Sequence, residues 1–418
     1  MKKYDLITVG GGLSGVAAAV SAAREGLKVL LIERSGALGG AITNNLVYPF
    51  MIFWRTTREG IREYLNAGIF TEIRERQFRY EPPLSDGQFR PEVMKIVLDD
   101  MVREAGVEVL FHTTVFDVAT EHDRLTSVKV LAKSDVMEFE ASYFIDATGD
   151  GDLFYKAGCA YQLGRPSDGL CQPMTTCFRM SGVDVEAFKA DRKRLQALYE
   201  EKQKTGEILN PRENILVFYG IGKDILHFNT TRVVRHNPVD VFDVSRAEGI
   251  ARRQIFELVK FFKENSKAFE NSTVISIANE IGVRESRKLV GRHVLTTEEL
   301  KSCVEFEDTI AIGNYEIDIH NPAGTGTELY YFKSDEYYKI PYRSLLPKEY
   351  SNLVVVGRCI SASHEAQAAI RIMPICACIG QAGGTAVAVA AQAGVGVAEI
   401  DIRKLQNTLI KNGAKLAL

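Results

Sequence analysis

No CxxC pair occurs anywhere in the 418 residues, and the seven cysteines stand at irregular spacings. An odd number so placed makes no disulfide framework, and there is neither a zinc pattern nor a thioredoxin-like couple. No metal site is expected, and a reducing compartment, the cytoplasm, is the expected location. Basic blocks and arginine-rich arms are also absent, and the formal net charge is only −3. Nucleic acid and anionic membrane surfaces are therefore not expected as partners. The opening MKKYDLITV lacks the apolar run of a signal peptide, because Tyr4 and Asp5 interrupt it and glycines follow. One long uncharged stretch does exist, from Ile372 to Ala398. It exceeds the about 18 residues of a spanning helix, but Pro374, Gly380, Gln381, Gly383, Gly384 and Gln392 interrupt it and alanine takes the place of leucine. Such a composition transfers poorly into lipid, so the stretch is expected to be core or site rather than a membrane segment.

What is present is a globular composition, 46% hydrophobic and 25% charged, in a chain long enough for two domains. YDLITVGGGLSGVAAAVSAAREGLKVLLIERSG divides into three pieces by period. Leu6 to Val9 suits a buried parallel strand, Leu13 to Glu25 a small-residue helix, and Lys28 to Ile32 a second strand ending at Glu33. This is a βαβ unit. Gly10, Gly12 and Gly15 stand in GxGxxG spacing: the first allows a tight turn, the second a close approach of pyrophosphate, the third close helix packing. Glu33 is placed to accept hydrogen bonds from a ribose and would repel a 2′-phosphate, which disfavours NADP against FAD or NAD. Downstream, RSGALGGAITNN offers a second close backbone approach at Gly39 and Gly40, which favours FAD. Pro91 starts a further helix that closes near Gly106, and Val107 to Val115 is expected as one strand of the same sheet. Tyr143 to Ala147 is a strand stopped by Thr148, Gly149 and Asp150, and Leu353 to Val356 one stopped by Gly357 and Arg358. Glycines and acids at such strand ends line a ligand crevice in parallel sheets.

ERSGALGG, FIDATGDGD, IPYRSLLP and NLVVVGRCISASHEAQAAIRIMPICACIGQAGGTA together resemble the FAD-dependent oxidoreductase family of glutathione-reductase-like flavoproteins. The resemblance spans both chain ends. It implies an α/β fold: a Rossmann-like FAD-binding domain whose parallel sheet is built from both ends, with an inserted α+β substrate or cap domain containing a mainly antiparallel sheet. The expected boundaries are 1–158, 159–342 and 343–418. It further implies that Gly10, Gly12, Leu13, Ser14 and Gly15 meet the pyrophosphate, with Glu33 and Arg34 by the ribose and Gly39, Gly40 and Ala41 near the phosphates. Val115 is implied near the adenine, and Ala147, Thr148, Gly149, Asp150, Gly357, Arg358 and Arg371 along the cofactor. Met373 and Pro374 are implied at a helix start on the flavin edge. No second GxGxxG and no redox CxxxxC accompany these, so an NAD(P)H-fed disulfide mechanism is not expected.

In the middle, CQPMTTCFRMSGV reads as an alternating strand, residues 183–206 as a charged helix, LHFNTTRVV as a strand, and 244–266 as a long amphipathic helix. Arg284 and Arg287 stand three apart in NEIGVRESRKLVG and share a face if that segment is helical. They can then clamp a carboxylate, or form an ion-pair net with Glu280 and Glu285. His320, on a polar loop, and His364, at the start of an alanine-rich turn, are candidate proton carriers, each set against a packing or capping role. The expected activity is hydride transfer from a small organic substrate, an organic acid or sugar derivative, to noncovalent FAD. A second reading keeps FAD without net redox, as in lyases, isomerases or hydratases, or as a structural group.

Overall fold

The computed structural model describes residues 3–82 and 85–418. Lys3–Val9 is a strand that buries Leu6, Ile7 and Val9 on both faces, as a central parallel strand must. It pairs in parallel with Val29–Ile32 on one side and with the end of Asp135–Asp146 on the other. Glu108–Leu110 extends the sheet next to Val29–Ile32, and Leu353–Val355, from the far end of the chain, pairs in parallel with Asp135–Asp146. Val9 lies opposite both Ile32 and Asp146, Ile32 opposite Leu110, and Val355 opposite Asp146. All five parallel strands therefore end at one level. The residues that follow them, among them Gly10, Glu33, Ala147 and Val356, border one crevice.

The expected single strand 107–115 is two strands. Glu108–Leu110 stays in the parallel sheet, the chain reverses at His112 (φ +52°), and Thr113–Glu121 pairs antiparallel with Arg124–Ala132. The turn is fixed by the segment after the second strand: His112 N donates to Ser35 O (3.1 Å) and Thr113 N to Glu33 O (3.1 Å). Those bonds replace the ladder that a continuous strand would have made.

The inserted unit is built on a four-stranded antiparallel sheet in the order Val217–Gly222, Ile225–Phe228, Phe178–Ser181, Thr273–Ile277. Helices Val185–Thr205 and Val241–Asn265 bury Leu195, Tyr199, Leu258 and Phe262 against Phe178 and Phe228. Only Phe178–Ser181 of the expected strand around Met174 is regular, because Met174 and Thr175 instead make isolated bridges to Val233 and Gly282. Leu289, Leu300, Ile310 and Tyr342 pack into the main core, so the segment 159–342 contributes to that core as well as to its own.

The uncharged stretch forms the helix Met373–Ala393, long and apolar enough to cross a membrane yet buried from Met373 to Ala390. It lies against the first helix, Leu13–Arg24. A Cβ on Gly380 would stand 2.1 Å from the Ser14 carbonyl oxygen, and one on Gly384 2.1 Å from that of Ala18. Gly383 does not share this contact, since one residue turns the helix by about 100°; it faces Val356, whose Cγ1 would be 2.4 Å away.

Candidate functional site

The three glycines of the first turn divide the work. A Cβ on Gly10 would lie 2.4 Å from Ala147 O and one on Gly15 1.8 Å from Gly10 O, whereas one on Gly12 would meet nothing within 4 Å. Two glycines close the packing and the third leaves an open cradle. Gly12 precedes Leu13–Arg24 and no side chain caps that helix start, so its first N–H groups face the cradle without a side-chain acceptor. Beside it the Glu33 carboxylate is held in place, accepting from Gly11 N (2.6 Å) and Ser35 N (2.7 Å). Gly39 N donates to Gly11 O at 2.8 Å, and Gly40, at φ +53°, passes within van der Waals reach of Gly12. An open backbone cradle, a helix N-terminus and a fixed acid fit the phosphates and ribose of a dinucleotide.

Residues 5–409 match the family described as FAD dependent oxidoreductase. This chain belongs to that family. Its parallel sheet and first βαβ crossover are of the Rossmann type. A glutathione reductase of Schizosaccharomyces pombe is 47% identical over 53 residues, 13% of this chain and 11% of its own. A thiamine thiazole synthase of Aeropyrum pernix is 27% identical over 163 residues (36% and 57%). Digeranylgeranylglycerophospholipid reductase 2 of Methanothermobacter thermautotrophicus is 27% identical over 198 residues (44% and 48%). The chain thus spans between 11% and 57% of the length of these relatives. A solved geranylgeranyl bacteriochlorophyll reductase-like protein from Thermoplasma acidophilum aligns at 14% identity and TM-score 0.45 over 98% of this chain and 84% of its own.

Ala147, Thr148, Gly149 and Asp150 follow the end of one parallel strand, and Gly357 and Arg358 that of another. Leu13 and Ser14 are buried in the first helix turn, and Val115 is buried on Thr113–Glu121. Arg358 runs across Gly149 and its Nη2 donates to Asp150 Oδ1 at 2.7 Å, which fixes the turn after Asp135–Asp146. Gly357, at φ +86°, lies against the Ser14 side chain. Met373 and Pro374 open the long helix, whose N-cap Ile372 offers no side-chain acceptor. Arg34 is exposed and paired with Glu280 (2.5 Å), and Arg371 points to Asp318 (3.6 Å). Cys376 and Cys378 are the buried small groups expected, their thiols pushed up to about 12 by burial.

Asp146, which the motif contains but sequence reasoning passes over, anchors the turn that carries Ala147, Thr148, Gly149 and Asp150. Its carboxylate accepts from Thr148 N (3.0 Å), Thr148 Oγ1 (2.7 Å), Leu153 N (3.0 Å) and Phe154 N (2.9 Å). Burial outweighs these bonds and raises its carboxyl to about 6. A folded pKa above the unfolded value means stability present at low pH and lost as pH rises. Between about pH 3 and pH 7, wild type should therefore lose roughly 3 kcal/mol relative to Asp146→Asn. Parallel urea titrations across that range measure it; a pH-independent difference refutes it.

The expected pairing of Arg284 with Arg287 is overturned. The segment is extended: Gly282 bridges to Thr175, and Arg287–Leu289 is a strand paired with Tyr161–Leu163. Residues three apart face opposite sides of an extended chain. Arg287 donates to Asp150 O (3.1 Å) and Asp152 Oδ1 (2.9 Å) and stacks on Tyr155 (4.0 Å), whereas Arg284 donates to Pro173 O (2.6 Å) and Thr175 Oγ1 (2.5 Å). Neither forms the alternative net, since Glu280 pairs with Arg34 and Glu285 with Lys288 and His364.

His364 is the first residue of the helix His364–Ile370, after Ser363, whose side chain accepts from Ala366 N. Its Nδ1 is 2.8 Å from Glu285 Oε1, and its Nε2 is buried with no hydrogen-bond partner among the described residues. Glu285 is fully buried, bonds Lys288, and accepts from Gln172 N at 3.0 Å. Burial raises its carboxyl, but His364 and Lys288 outweigh that and hold it low and ionised. A carboxylate on Nδ1–H leaves Nε2 as the basic nitrogen.

His320 is engaged on both nitrogens: Nδ1 faces Arg232 Nη2 (3.0 Å) and Arg212 Nη1 (3.3 Å), and Nε2 faces Asp318 Oδ2 (3.3 Å). Burial, aided by Arg284, depresses it to about 3, so the ring is neutral. Arg212, Arg232, Asp318 and Glu285 are site residues that sequence reasoning did not assign. The available signal was lone arginines in apolar or threonine surroundings, as in NTTRVV.

Proposed function

We propose that this protein oxidises a small organic substrate by transferring a hydride from it to bound FAD. The observation that carries the reading is the buried pair of Glu285 and His364, with Nε2 left unpartnered. FAD, when bound, supplies the two-electron redox chemistry. The chain holds it with the Gly10–Gly15 turn, Glu33, Gly39–Gly40 and the Arg358–Asp150 turn. His364 Nε2 accepts the proton that the substrate's hydroxyl or amine releases as its carbon gives up the hydride, and Glu285 holds the ring in the required tautomer. The electron acceptor is a small molecule other than NAD(P)H, a reading supported by the single GxGxxG. Seven free thiols fit action in the reducing cytoplasm, on a small molecule rather than on nucleic acid or a membrane.

Anaerobic titration of the purified yellow protein with candidate alcohols, amines and hydroxy acids tests this. Bleaching of the flavin absorbance in proportion to substrate is expected. Turnover with the flavin oxidised throughout, or a protein that binds no FAD on reconstitution, overturns it.

A further inference from the structure

Four arginines converge beside the His364 region. Arg232 is almost wholly buried and Arg212 nearly so, while Arg284 and Arg371 are partly buried. Two carboxylates accompany them: Glu213 pairs with Arg232 at 3.1 Å, and Asp318 with Arg371 at 3.6 Å. Because His320 Nδ1 receives two guanidinium N–H groups, its proton sits on Nε2 and donates to Asp318. The imidazole therefore aligns Arg212 and Arg232 without adding charge. Tyr315 also donates to Asp318 at 3.1 Å. An excess of two positive charges remains.

That excess has a location. Among the described residues no carboxylate lies within 4 Å of Arg284, whose recorded bonds use only Nη1. Arg371 Nε is buried without a hydrogen-bond partner. Burial and the neighbouring Arg371, Arg212 and Arg232 push the Arg284 guanidinium down to about 9, so it stays charged at neutral pH and under repulsion. A purely structural ion network supplies a carboxylate for each cation, because an uncompensated buried charge is strongly destabilising. An arriving anion would relieve this one.

The cluster is tied to the flavin site by three connections. Gln367 Nε2 donates to Arg284 O (3.0 Å) and to Arg358 O (3.3 Å), which links it to the Asp150 turn. Arg284 adjoins Glu285, the partner of His364. Arg371 ends the His364–Ile370 helix two residues before Met373–Ala393 begins.

We propose that Arg212, Arg232, Arg284 and Arg371 form an anion subsite that takes a carboxylate or phosphate group of the substrate. His320 and Asp318 act as positioning residues for it. This rests on the redox reading above and names its substrate class: a small molecule whose oxidisable carbon sits near His364 and whose anionic oxygens lie on the arginines. Guanidinium forks match planar carboxylates and phosphates by paired hydrogen bonds.

Calorimetric titration of the FAD-loaded full chain with acetate, malonate and inorganic phosphate, at ionic strength fixed with chloride, tests the subsite. Saturable binding of at least one is expected, and the preferred probe separates a carboxylate from a phosphate substrate. Arg284→Met should weaken that binding about 10- to 100-fold with FAD content unchanged. Arg284→Lys, which keeps the charge but not the fork, should give a smaller loss and carries the comparison if Arg284→Met does not fold. Absence of saturable binding by all three probes, or equal affinity in wild type and a folded Arg284 variant, overturns the proposal. Bleaching by an uncharged substrate that no anion inhibits removes the subsite and leaves the redox reading standing. Anion binding without substrate-driven bleaching does the reverse.

Discussion

Glu285→Ala should lower the unfolding free energy by about 3–5 kcal/mol. Glu285 and Lys288 have side-chain exposures of 0% and 1%, and they bond each other directly. Once the carboxylate is gone, the remaining recorded partner of the Lys288 ammonium is Gly164 O at 3.1 Å, so a buried cation is left uncompensated. Gln172 N loses its acceptor as well. Replacing both members of the pair with Leu and Met removes the stranded charge and should recover most of the loss, because apolar pairs of similar volume are often neutral substitutes. Chemical denaturation of the single and double variants decides the matter. A single-variant loss no larger than that of an exposed pair, about 1 kcal/mol, refutes it. The same carboxylate fixes the His364 tautomer, so the histidine has a kinetic counterpart. His364→Asn should keep its FAD while substrate-driven flavin reduction slows by about 10²–10⁴.

Gly380→Ala should yield protein depleted of FAD and melting well below wild type. The added Cβ would stand 2.1 Å from the Ser14 carbonyl oxygen and 2.7 Å from Ser14 Cα, both backbone atoms of the first helix. Backbone in a helix cannot swing aside as a side chain can, so the two helices must separate. Overpacking costs about 1–3 kcal/mol, occasionally more, and this contact belongs at the upper end. The displacement falls on Ser14, one residue after the helix start, so the cradle for the pyrophosphate opens with it. Gly383→Ala is the matched control, since its nearest neighbour is the Val356 side chain. Flavin absorbance per mole of protein and the melting temperature report both effects. Stoichiometric FAD at a wild-type melting temperature in Gly380→Ala rules out the packing argument.

The first βαβ unit could be read residue by residue because each glycine answers a local demand. Gly10, Gly12 and Gly15 act within six residues of chain, and the strands beside them declare themselves by uninterrupted apolar runs. The same holds for the alanine- and glycine-rich C-terminal helix, whose composition already pointed to core or site rather than lipid, although which of its glycines faced which neighbour was not legible. The strand break at His112 was hidden because it depends on bonds to Glu33 and Ser35, far back in the chain. The extended course of segment 279–291 was not legible for a related reason. Its composition allows helix or strand, and the deciding ladder comes from Tyr161–Leu163 and Thr175.

The chemistry of the site lies further still from local sequence. His364 and Glu285 are 79 residues apart, His320 and Arg232 are 88 apart, and His320 and Arg212 are 108 apart. A histidine with one nitrogen on a carboxylate and the other unpartnered has the same local sequence as one satisfied on both sides. Sequence alone determined the dinucleotide cradle and its βαβ unit, because backbone geometry and hydrophobic period are short-range properties; the sheet built from both chain ends followed only from the resemblance of its motifs to a flavoprotein family. Only the tertiary structure decided which histidine sets an open nitrogen opposite a buried carboxylate and where positive charge stands in excess, because hydrogen-bond satisfaction and charge balance are sums over neighbours that folding brings together.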